Sequence, residues 1–373
     1  MLIRFEVENF KNFQNRIILD FSRPSSYEFN QEVISQKYGC ITKGIAYGPN
    51  GSGKSNLGLA LFDIVTHLTD NNVISERYIL YSCLNNKKKK VSFKYTFRFD
   101  DSELVYEYAK QSMRQLLSER ITIDGRVVLD FDYGSNDGGS VLKGSENLNL
   151  SANKNDQISR VKYVIGTALL EDNKENRVFL KFADWVNHML LFYSLDSRRY
   201  EGFSVGTESI SKGIIEKGKL NDFENFLRKN GIGYSLVERM DGKGEPQIYC
   251  KMLYGEVDFF ELASTGTSSL ALFYYWYIQM EKASFVFIDE FDAFYHFELA
   301  QVMVQLLRGM KETQVFLTTH NTDLMSNDLL RPDCYFLIGS DRIVSLTDAT
   351  DKELRKAHNL QKMYKAGAFH EKS

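Results

Sequence analysis

The chain has 373 residues, of which 43% are hydrophobic and 25% charged, and its formal net charge is −3. These values are ordinary for a soluble globular protein, whereas a dedicated nucleic-acid coat is usually more basic. Four scattered cysteines without a Cys-x-x-Cys pair argue against a zinc site or a disulfide framework. The first residues lack the apolar run of a signal peptide, and no stretch approaches the roughly 20 apolar residues of a membrane span. We therefore expect a soluble, cytoplasmic protein with no membrane partner.

The predicted elements begin with two strands within residues 1–22, joined around Asn9 to Phe13. A short strand that ends at Tyr47 precedes a Gly-rich loop, and apolar periodicity predicts a helix from about Ser55 to Leu68. Four segments of alternating polarity between Val91 and Phe131 predict an antiparallel meander. The first third of the chain is therefore mainly β, with one long helix after the Gly-rich loop.

The middle of the chain is less regular. Residues from Tyr133 to Asp156 are rich in Gly, Ser and Asn, which is typical of a long loop. Amphipathic patterns predict helices from about Lys174 to Leu195 and from Ser209 to Lys229, followed by two strands around Gly242 to Gly244. The last third then alternates helix and strand, and this rhythm predicts a largely parallel sheet and an α/β fold.

These patterns divide the chain into four predicted regions: 1–132, 133–173, 174–255 and 256–373. We expect Phe10, Phe13 and the apolar strand from Phe285 to Ile288 to be mostly buried. The strand before the Gly-rich loop and the strand from Phe285 should lie in the same sheet, since both carry candidate site residues at their ends.

The Gly-rich loop is the strongest functional signal. Residues 48–55 read Gly-Pro-Asn-Gly-Ser-Gly-Lys-Ser and match G-x-x-x-x-G-K-[ST], a phosphate-binding loop, between a predicted strand and a predicted helix. Glycines let backbone N–H groups turn toward phosphate oxygens, and the helix N-terminus favours an anion. We predict that Lys54 contacts the β- and γ-phosphates and that Ser55 binds Mg²⁺. The other predicted nucleotide-binding residues of this segment are Asn50, Gly51, Ser52, Gly53 and Asn56.

An acidic pair and a histidine follow two later strands. The apolar strand from Phe285 to Ile288 delivers Asp289 and Glu290 to its C-terminal edge, where ligands bind in open α/β sheets. We predict that Asp289 holds Mg²⁺ and that Glu290 activates the attacking water. The next apolar strand ends in His320, which is placed to hydrogen-bond the γ-phosphate. A solvated turn and an unremarkable histidine are the alternatives, but the order of the three motifs favours an ATPase site.

A small-residue segment opens the helix that precedes the acidic pair. Residues 262–270 read Leu-Ala-Ser-Thr-Gly-Thr-Ser-Ser-Leu. Such a turn exposes N–H groups and the positive end of a helix dipole to an anion. An ordinary helix cap is the alternative. On its own, the Ser-Thr-Gly-Thr string favours such a cap.

Taken in order, five segments resemble the SMC, RecF and OLD-like branch of the ABC-type ATPases. They are FEVENFKNF, GPNGSGKSNL, STGTSSL, FIDEFDAFYH and TTHNTDLM. The resemblance covers both ends of the chain and is weak from about residue 130 to 255. It is nearest to the short ATPases of bacterial anti-phage defence systems, such as PARIS, the AbiL abortive-infection locus and retron-associated operons. The stretch MYKAGAF, near Lys362 to Phe369, also resembles that subgroup.

The resemblance implies an ABC ATPase head that binds ATP and Mg²⁺. Its parts would be an α/β lobe, an antiparallel β meander and a helical lobe from about Lys174 to Gly233. It also implies a homodimer, or a higher even-numbered oligomer, assembled through ATP. In such a dimer Ser264 and Gly266 of one protomer would contact the γ-phosphate bound at Lys54 of the other.

Two further features of the family are harder to place. The segment from Asp292 to His296 would cross the dimer interface, and His296 stands where many ABC proteins have an aspartate. The glutamine that couples Mg²⁺ to the lobes has two candidates, Gln111 and Gln157, between which the sequence does not decide.

Three functions fit these residues. The first is an ATP-dependent sensor and scaffold that controls a separate effector protein in anti-phage defence. The second is a RecF-like DNA-repair or DNA-loading ATPase, which leaves nucleic-acid binding open although the pI of about 6.1 argues against it. The third is a nuclease toxin whose own active site lies within residues 130–255.

Overall fold

The computed structural model describes residues 1–71, 73–151, 157–194, 200–202, 209–293, 297–339 and 341–369. The strands are β1 (Leu2–Glu8), β2 (Ile17–Asp20), β3 (Ile34–Ser35), β4 (Cys40–Ile41), β5 (Lys43–Tyr47), β6 (Val91–Phe99), β7 (Ser102–Ser112), β8 (Gln115–Ile123), β9 (Arg126–Asp132), β10 (Asp137–Ser140), β11 (Met189–Tyr193), β12 (Tyr200–Gly202), β13 (Leu236–Met240), β14 (Pro246–Met252), β15 (Gly255–Asp258), β16 (Phe285–Asp289), β17 (Gln314–Thr319), β18 (Tyr335–Ile338) and β19 (Ile343–Ser345). The α-helices are α1 (Lys54–Phe62), α2 (Val65–Leu68), α3 (Arg160–Thr167), α4 (Lys174–Asn187), α5 (Ile210–Glu216), α6 (Leu220–Lys229), α7 (Phe259–Leu262), α8 (Thr265–Gln279), α9 (Phe297–Arg308) and α10 (Leu360–Lys365).

The main sheet has the strand order β12-β11-β16-β17-β5-β18-β19. Its five inner strands run parallel, and β12 and β19 pair antiparallel at the two edges. Strands β5, β16 and β17 are buried at every position, which explains why they read as continuous apolar runs rather than alternating ones. The prediction that the two motif strands share a sheet is confirmed, with β17 between β5 and β16.

The second large sheet, the meander sheet, has the order β10-β9-β8-β7-β6-β1-β2 and is antiparallel. Along β6, buried and partly exposed positions alternate strictly, as the sequence predicted. The hairpin turns place Asp100 and Asp124 in the left-handed region, with φ of 51° and 48°. Phe10 and Phe13, in the β1–β2 connection, are fully buried as predicted.

Gln314 joins the two large sheets. It lies in β17 of the main sheet and is 1% exposed. Its side-chain oxygen accepts a hydrogen bond from the Leu2 N–H at 2.6 Å, and its side-chain nitrogen donates to the Leu2 carbonyl at 2.9 Å. One buried amide thus bonds both backbone groups of a residue in β1 and fixes the two sheets to each other.

The helix predicted from Lys174 to Leu195 is wrong in its second half. Helix α4 ends at Asn187, and Met189–Tyr193 form β11, which pairs in parallel with β16. The run Met-Leu-Leu-Phe-Tyr is apolar at every position, so its periodicity fits a buried strand as well as a helix. Leu195 lies outside the described residues.

Helix α4 also lies in a different place from the one predicted for the helical lobe. It packs on the meander sheet, where the rings of Phe182 and Trp185 lie 5.3 and 4.9 Å from that of Phe97. The helices beside α8 are instead α5 and α6, separated by a turn in which Gly218 has a φ of 66°. The helix predicted from Ser55 to Leu68 is likewise divided, into α1 and α2. Among the described residues, no helix has the length and apolar character needed to cross a membrane.

Candidate functional site

The phosphate loop, residues 48–53, connects β5 to α1. Gly51 and Gly53 have φ of 80° and 105°, a conformation that residues with a side chain rarely adopt. A Cβ on Gly53 would lie 2.5 Å from Asn12 Nδ2, and one on Gly48 would lie 2.7 Å from the Ile338 carbonyl oxygen. The loop is packed so closely at both ends that glycine is required there.

Asn12 holds the phosphate loop from the β1–β2 connection. Its Nδ2 donates to the Ser52 carbonyl at 3.2 Å, and its Oδ1 accepts from Asn56 Nδ2 at 2.7 Å. Asn56 was predicted to contact nucleotide, and in the structure its side-chain amide donates a hydrogen bond to Asn12. No role was predicted for Asn12 itself, although it stands in the N-F-K-N-F segment that carries part of the family resemblance.

Lys54, the first residue of α1, is 5% exposed. Its ammonium group donates to the Gly48 carbonyl at 3.0 Å and the Pro49 carbonyl at 3.4 Å. It also lies 2.8 Å from His320 Nε2 and 3.5 Å from Glu290 Oε1. A buried ammonium group needs such partners, because burying a charge without hydrogen bonds or an ion pair costs free energy.

The acidic pair is fixed by a threonine on the neighbouring strand. Thr318, in β17, donates its hydroxyl to Asp289 Oδ1 at 2.8 Å and accepts from the Glu290 N–H at 2.8 Å. Asp289 is 8% exposed, and Glu290 has a left-handed φ of 49°. Such a conformation is strained for a residue other than glycine and persists where surrounding contacts enforce it. The two bonds to Thr318 are contacts of this kind.

Glu290 and His320 complete a three-residue cluster with Lys54. His320 follows β17, and its Nε2 lies 3.0 Å from Glu290 Oε1. The imidazole nitrogen can donate to Glu290 or accept from Lys54, but it serves only one of these contacts at a time. Side-chain exposure rises from 4% at Lys54 to 15% at Glu290 and 42% at His320. The cluster therefore opens to solvent on the histidine side.

The segment after the acidic pair is hydrogen-bonded to the end of β17. The Thr319 hydroxyl donates to Asp292 Oδ1 at 2.6 Å. Burial raises the pKa of the Asp292 carboxyl. His296, predicted to lie at a dimer interface, falls outside the described residues, so the course of that segment stays a prediction.

The predicted signature residues lie apart from this cluster. Ser264 is the N-cap of α8, where its Oγ accepts from the Thr267 N–H at 3.2 Å. Ser264 is exposed and Gly266 half-buried. Across the described part of the chain, no hydrogen bond or ion pair links either residue to the phosphate loop. Gln111 and Gln157 are both exposed, and the choice between them stays open.

The predicted magnesium ligands are a hydroxyl and a carboxylate. Ser55 is exposed in the first turn of α1, and Asp289 stands at the end of β16. The described residues include no cluster of three or more His, Cys, Asp or Glu side chains able to hold a metal ion. This donor set fits Mg²⁺, which is usually held by one or two protein oxygens together with phosphate oxygens and water.

Comparison with known families shows which family the chain belongs to. Residues 47–326 match the AAA_21 family, described as "AAA domain, putative AbiEii toxin, Type IV TA system". The matched range contains the phosphate loop, the acidic pair and His320. The chain belongs to the AAA_21 family. The fold of this AAA_21 protein is α/β, with the phosphate loop in a mainly parallel sheet beside an antiparallel meander, as the sequence predicted, whereas the predicted helical lobe lacks α4.

Several solved structures are similar to the AAA_21 protein. The SMC head domain of Pyrococcus yayanosii, with a coiled coil and joint, is 14% identical with a TM-score of 0.48, covering 98% of this chain and 99% of that one. An SMC head bound to the C-winged helix domain of ScpA is 15% identical with a TM-score of 0.47, covering 92% and 98%. The SMC head domain of Thermotoga maritima is 13% identical with a TM-score of 0.41, covering 92% and 98%. Comparison with curated protein sequences gives no match.

Proposed function

We propose that this AAA_21 protein binds ATP with Mg²⁺ and hydrolyses it. The observation that carries the proposal is the convergence of Lys54, Glu290 and His320 at one edge of the main sheet. These groups come from the ends of three neighbouring elements, and each lies within 3.5 Å of the next. A phosphate-binding cation beside a carboxylate and an imidazole is the set of groups that phosphoanhydride hydrolysis requires.

Each residue takes a separate part in the proposed reaction. Lys54 neutralises charge on the β- and γ-phosphates. Glu290 accepts a proton from the attacking water, and His320 hydrogen-bonds the γ-phosphate. Lys54 and His320 currently contact the same Glu290 oxygen, so a phosphate that draws the ammonium away would release that carboxylate to act as a base. Mg²⁺, held by Ser55 and Asp289, would supply charge stabilisation on the phosphate oxygens.

The proposal predicts different losses for two substitutions. Lys54→Ala should abolish ATP binding, because the loop loses its cation. Glu290→Gln should keep ATP binding but slow hydrolysis by about 10²-fold or more, because the amide retains the shape and loses the basicity. Equilibrium binding of ATP and release of phosphate measure the two effects. Wild-type turnover in Glu290→Gln would show that another group activates water.

We further propose that the ATPase acts as a homodimer that controls a separate effector in anti-phage defence. The resemblance to defence ATPases supports this role, and so does the toxin–antitoxin wording of the family description. The cap of α8, with exposed Ser264 and half-buried Gly266, supports a contact with a second protomer, because no bond among the described residues links it to the phosphate loop of its own chain.

Affinity purification from the native operon tests the effector role. With Glu290→Gln as bait, which should retain ATP, we expect recovery of one protein encoded beside this gene, identified by mass spectrometry. Lys54→Ala is the matched bait that should fail to retain it if capture depends on nucleotide. Recovery of DNA together with replication or repair proteins would instead support the RecF-like function.

A further inference from the structure

A cavity of about 500 Å³ lies against the phosphate loop, away from the catalytic cluster. This volume is in the range of small-molecule pockets. One wall is residues 47–52, and a second is formed by β18, β19 and the turn between them. The third is formed by Tyr364 of α10 and by Phe369 in the segment after that helix. Because β18 adjoins β5 on the side opposite to β17 and β16, the cavity and the Lys54–Glu290–His320 cluster lie on different sides of the loop.

Two buried hydroxyl groups in the cavity wall have no partner in the described protein. Tyr47 is 1% exposed and Ser52 is 7% exposed, and neither side-chain oxygen makes a hydrogen bond. Buried hydroxyls in proteins almost always have a partner, and those that do not call for a ligand or another explanation. Burial also raises the pKa of Tyr47 well above its ordinary value, so that its hydroxyl stays a donor. Both residues belong to the segment that enters and forms the phosphate loop.

The cavity wall that contains Tyr364 and Phe369 is held close to β17, the strand that His320 follows. Gln361 Nε2 donates to Asp323 Oδ1, and Lys365 Nζ lies 3.8 Å from the same oxygen. Asp323 is in the short 3-10 turn that follows His320, so α10 has a fixed position relative to β17. Gly367, with φ of 70°, reverses the chain after α10 and returns Phe369 to the cavity beside Tyr364.

We propose that this cavity binds the nucleobase of the nucleotide whose phosphates the loop holds; the inference rests on the proposed function and extends it. Aromatic side chains stack well on nucleobases because every base presents a flat π surface. Tyr364 and Phe369 supply that surface, and the Tyr47 and Ser52 hydroxyls supply hydrogen bonds for the base or ribose edge. With the base on the β18 side of the loop, the side that carries Glu290 and His320 stays clear for the attacking water.

Two ligands that share phosphates but differ in the base test the inference. AMP-PNP carries adenosine and a non-hydrolysable triphosphate chain, whereas inorganic tripolyphosphate carries the phosphates alone. We expect Tyr364→Ala to weaken AMP-PNP binding about tenfold by calorimetry, since one stacking surface is lost, and to change tripolyphosphate binding less than about twofold. Tyr364→Phe keeps the ring and should bind both ligands as the wild type does.

Controls separate this inference from the proposed function and from misfolding. Tyr254→Ala removes a tyrosine that is 95% exposed on the β14–β15 turn and should change neither affinity. Phe369→Ala provides a second variant, and the thermal midpoint of each variant reports folding. Wild-type AMP-PNP binding in both Tyr364→Ala and Phe369→Ala, or equal loss of both ligands, would overturn the base pocket. Unchanged binding of both ligands in Lys54→Ala would instead overturn the proposed function.

Discussion

At the scale of single residues, the ion pair of Asp63 and Lys110 is the most deeply buried one in the part of the chain that the structure describes. Both side chains are fully buried, and Lys110 Nζ lies 2.8 Å from Asp63 Oδ1. Asp63 also accepts from the hydroxyls of Tyr81 at 2.7 Å and Tyr108 at 2.9 Å. Burial lowers the pKa of Lys110, and Asp63 opposes that shift. Since Asp63 follows α1 directly, the network joins the C-terminal end of the phosphate-loop helix to the meander sheet.

Removing one member of this pair should be costly. Lys110→Met leaves a buried carboxylate without its cation, and we expect the free energy of unfolding to fall by about 3–5 kcal/mol. Lys94→Met is the matched control, because Lys94 of β6 and Glu107 of β7 form a pair at 3.2 Å in the sheet that also contains Lys110, with side-chain exposures of 40% and 43%. That exposed pair should contribute less than about 1 kcal/mol. Denaturant unfolding measures both, and similar losses in the two variants would contradict the prediction.

At the scale of elements, the sequence predicted the parts whose pattern has only one structural meaning. Strict alternation from Val91 to Phe99 can only suit a strand with one buried face. The phosphate loop was predictable because its glycines, lysine and serine occur at a fixed spacing between a strand and a helix. Strands β16 and β17 are apolar runs without such a pattern, and they were identified because Asp289, Glu290 and His320 follow them in the order of the motifs.

Other parts of the molecule depend on contacts that no local pattern encodes. The strand Met189–Tyr193 was predicted as helix because its apolar run becomes a strand only through pairing with β16. The contact of Lys54 with His320 requires the register in which Thr319 of β17 lies opposite Tyr47 of β5. Asn12 reaches the phosphate loop from a different sheet, and that approach is set by the packing of the two sheets on each other.

At the scale of the whole molecule, the proposed dimer places each ATP between two chains. Nucleotide that binds the closed dimer more tightly than the single chains would stabilise the dimer, by at most about 2.7 kcal/mol per site at a hundredfold excess over Kd. Ser264→Arg puts bulk and charge at the exposed cap of α8 without touching Lys54. We expect each Ser264→Arg chain to bind ATP but to lose the closed dimer and hydrolysis, as measured by light scattering and phosphate release.

Mixing two inactive variants distinguishes sites formed in trans from sites within one chain. A dimer of one Ser264→Arg chain and one Lys54→Ala chain has one site built from intact halves and one site with both halves altered. Random pairing in an equal mixture should therefore restore about a quarter of the wild-type ATPase rate, provided one site suffices. Wild-type hydrolysis by Ser264→Arg alone would show that Ser264 is only a helix cap.

The strand that carries the phosphate loop has its sheet neighbours far along the chain, and this governs when the site can form during synthesis. Strand β5 ends at Tyr47, whereas its neighbours β17 and β18 begin at Gln314 and Tyr335. The ribosome synthesises the meander strands early. The meander sheet can therefore form while β5 still lacks both of its neighbouring strands. The Lys54–Glu290–His320 cluster therefore forms only after β17 and His320 have been synthesised. A chain released before β17 would carry the phosphate loop without His320 and without a strand beside β5, so it would lack the assembled cluster.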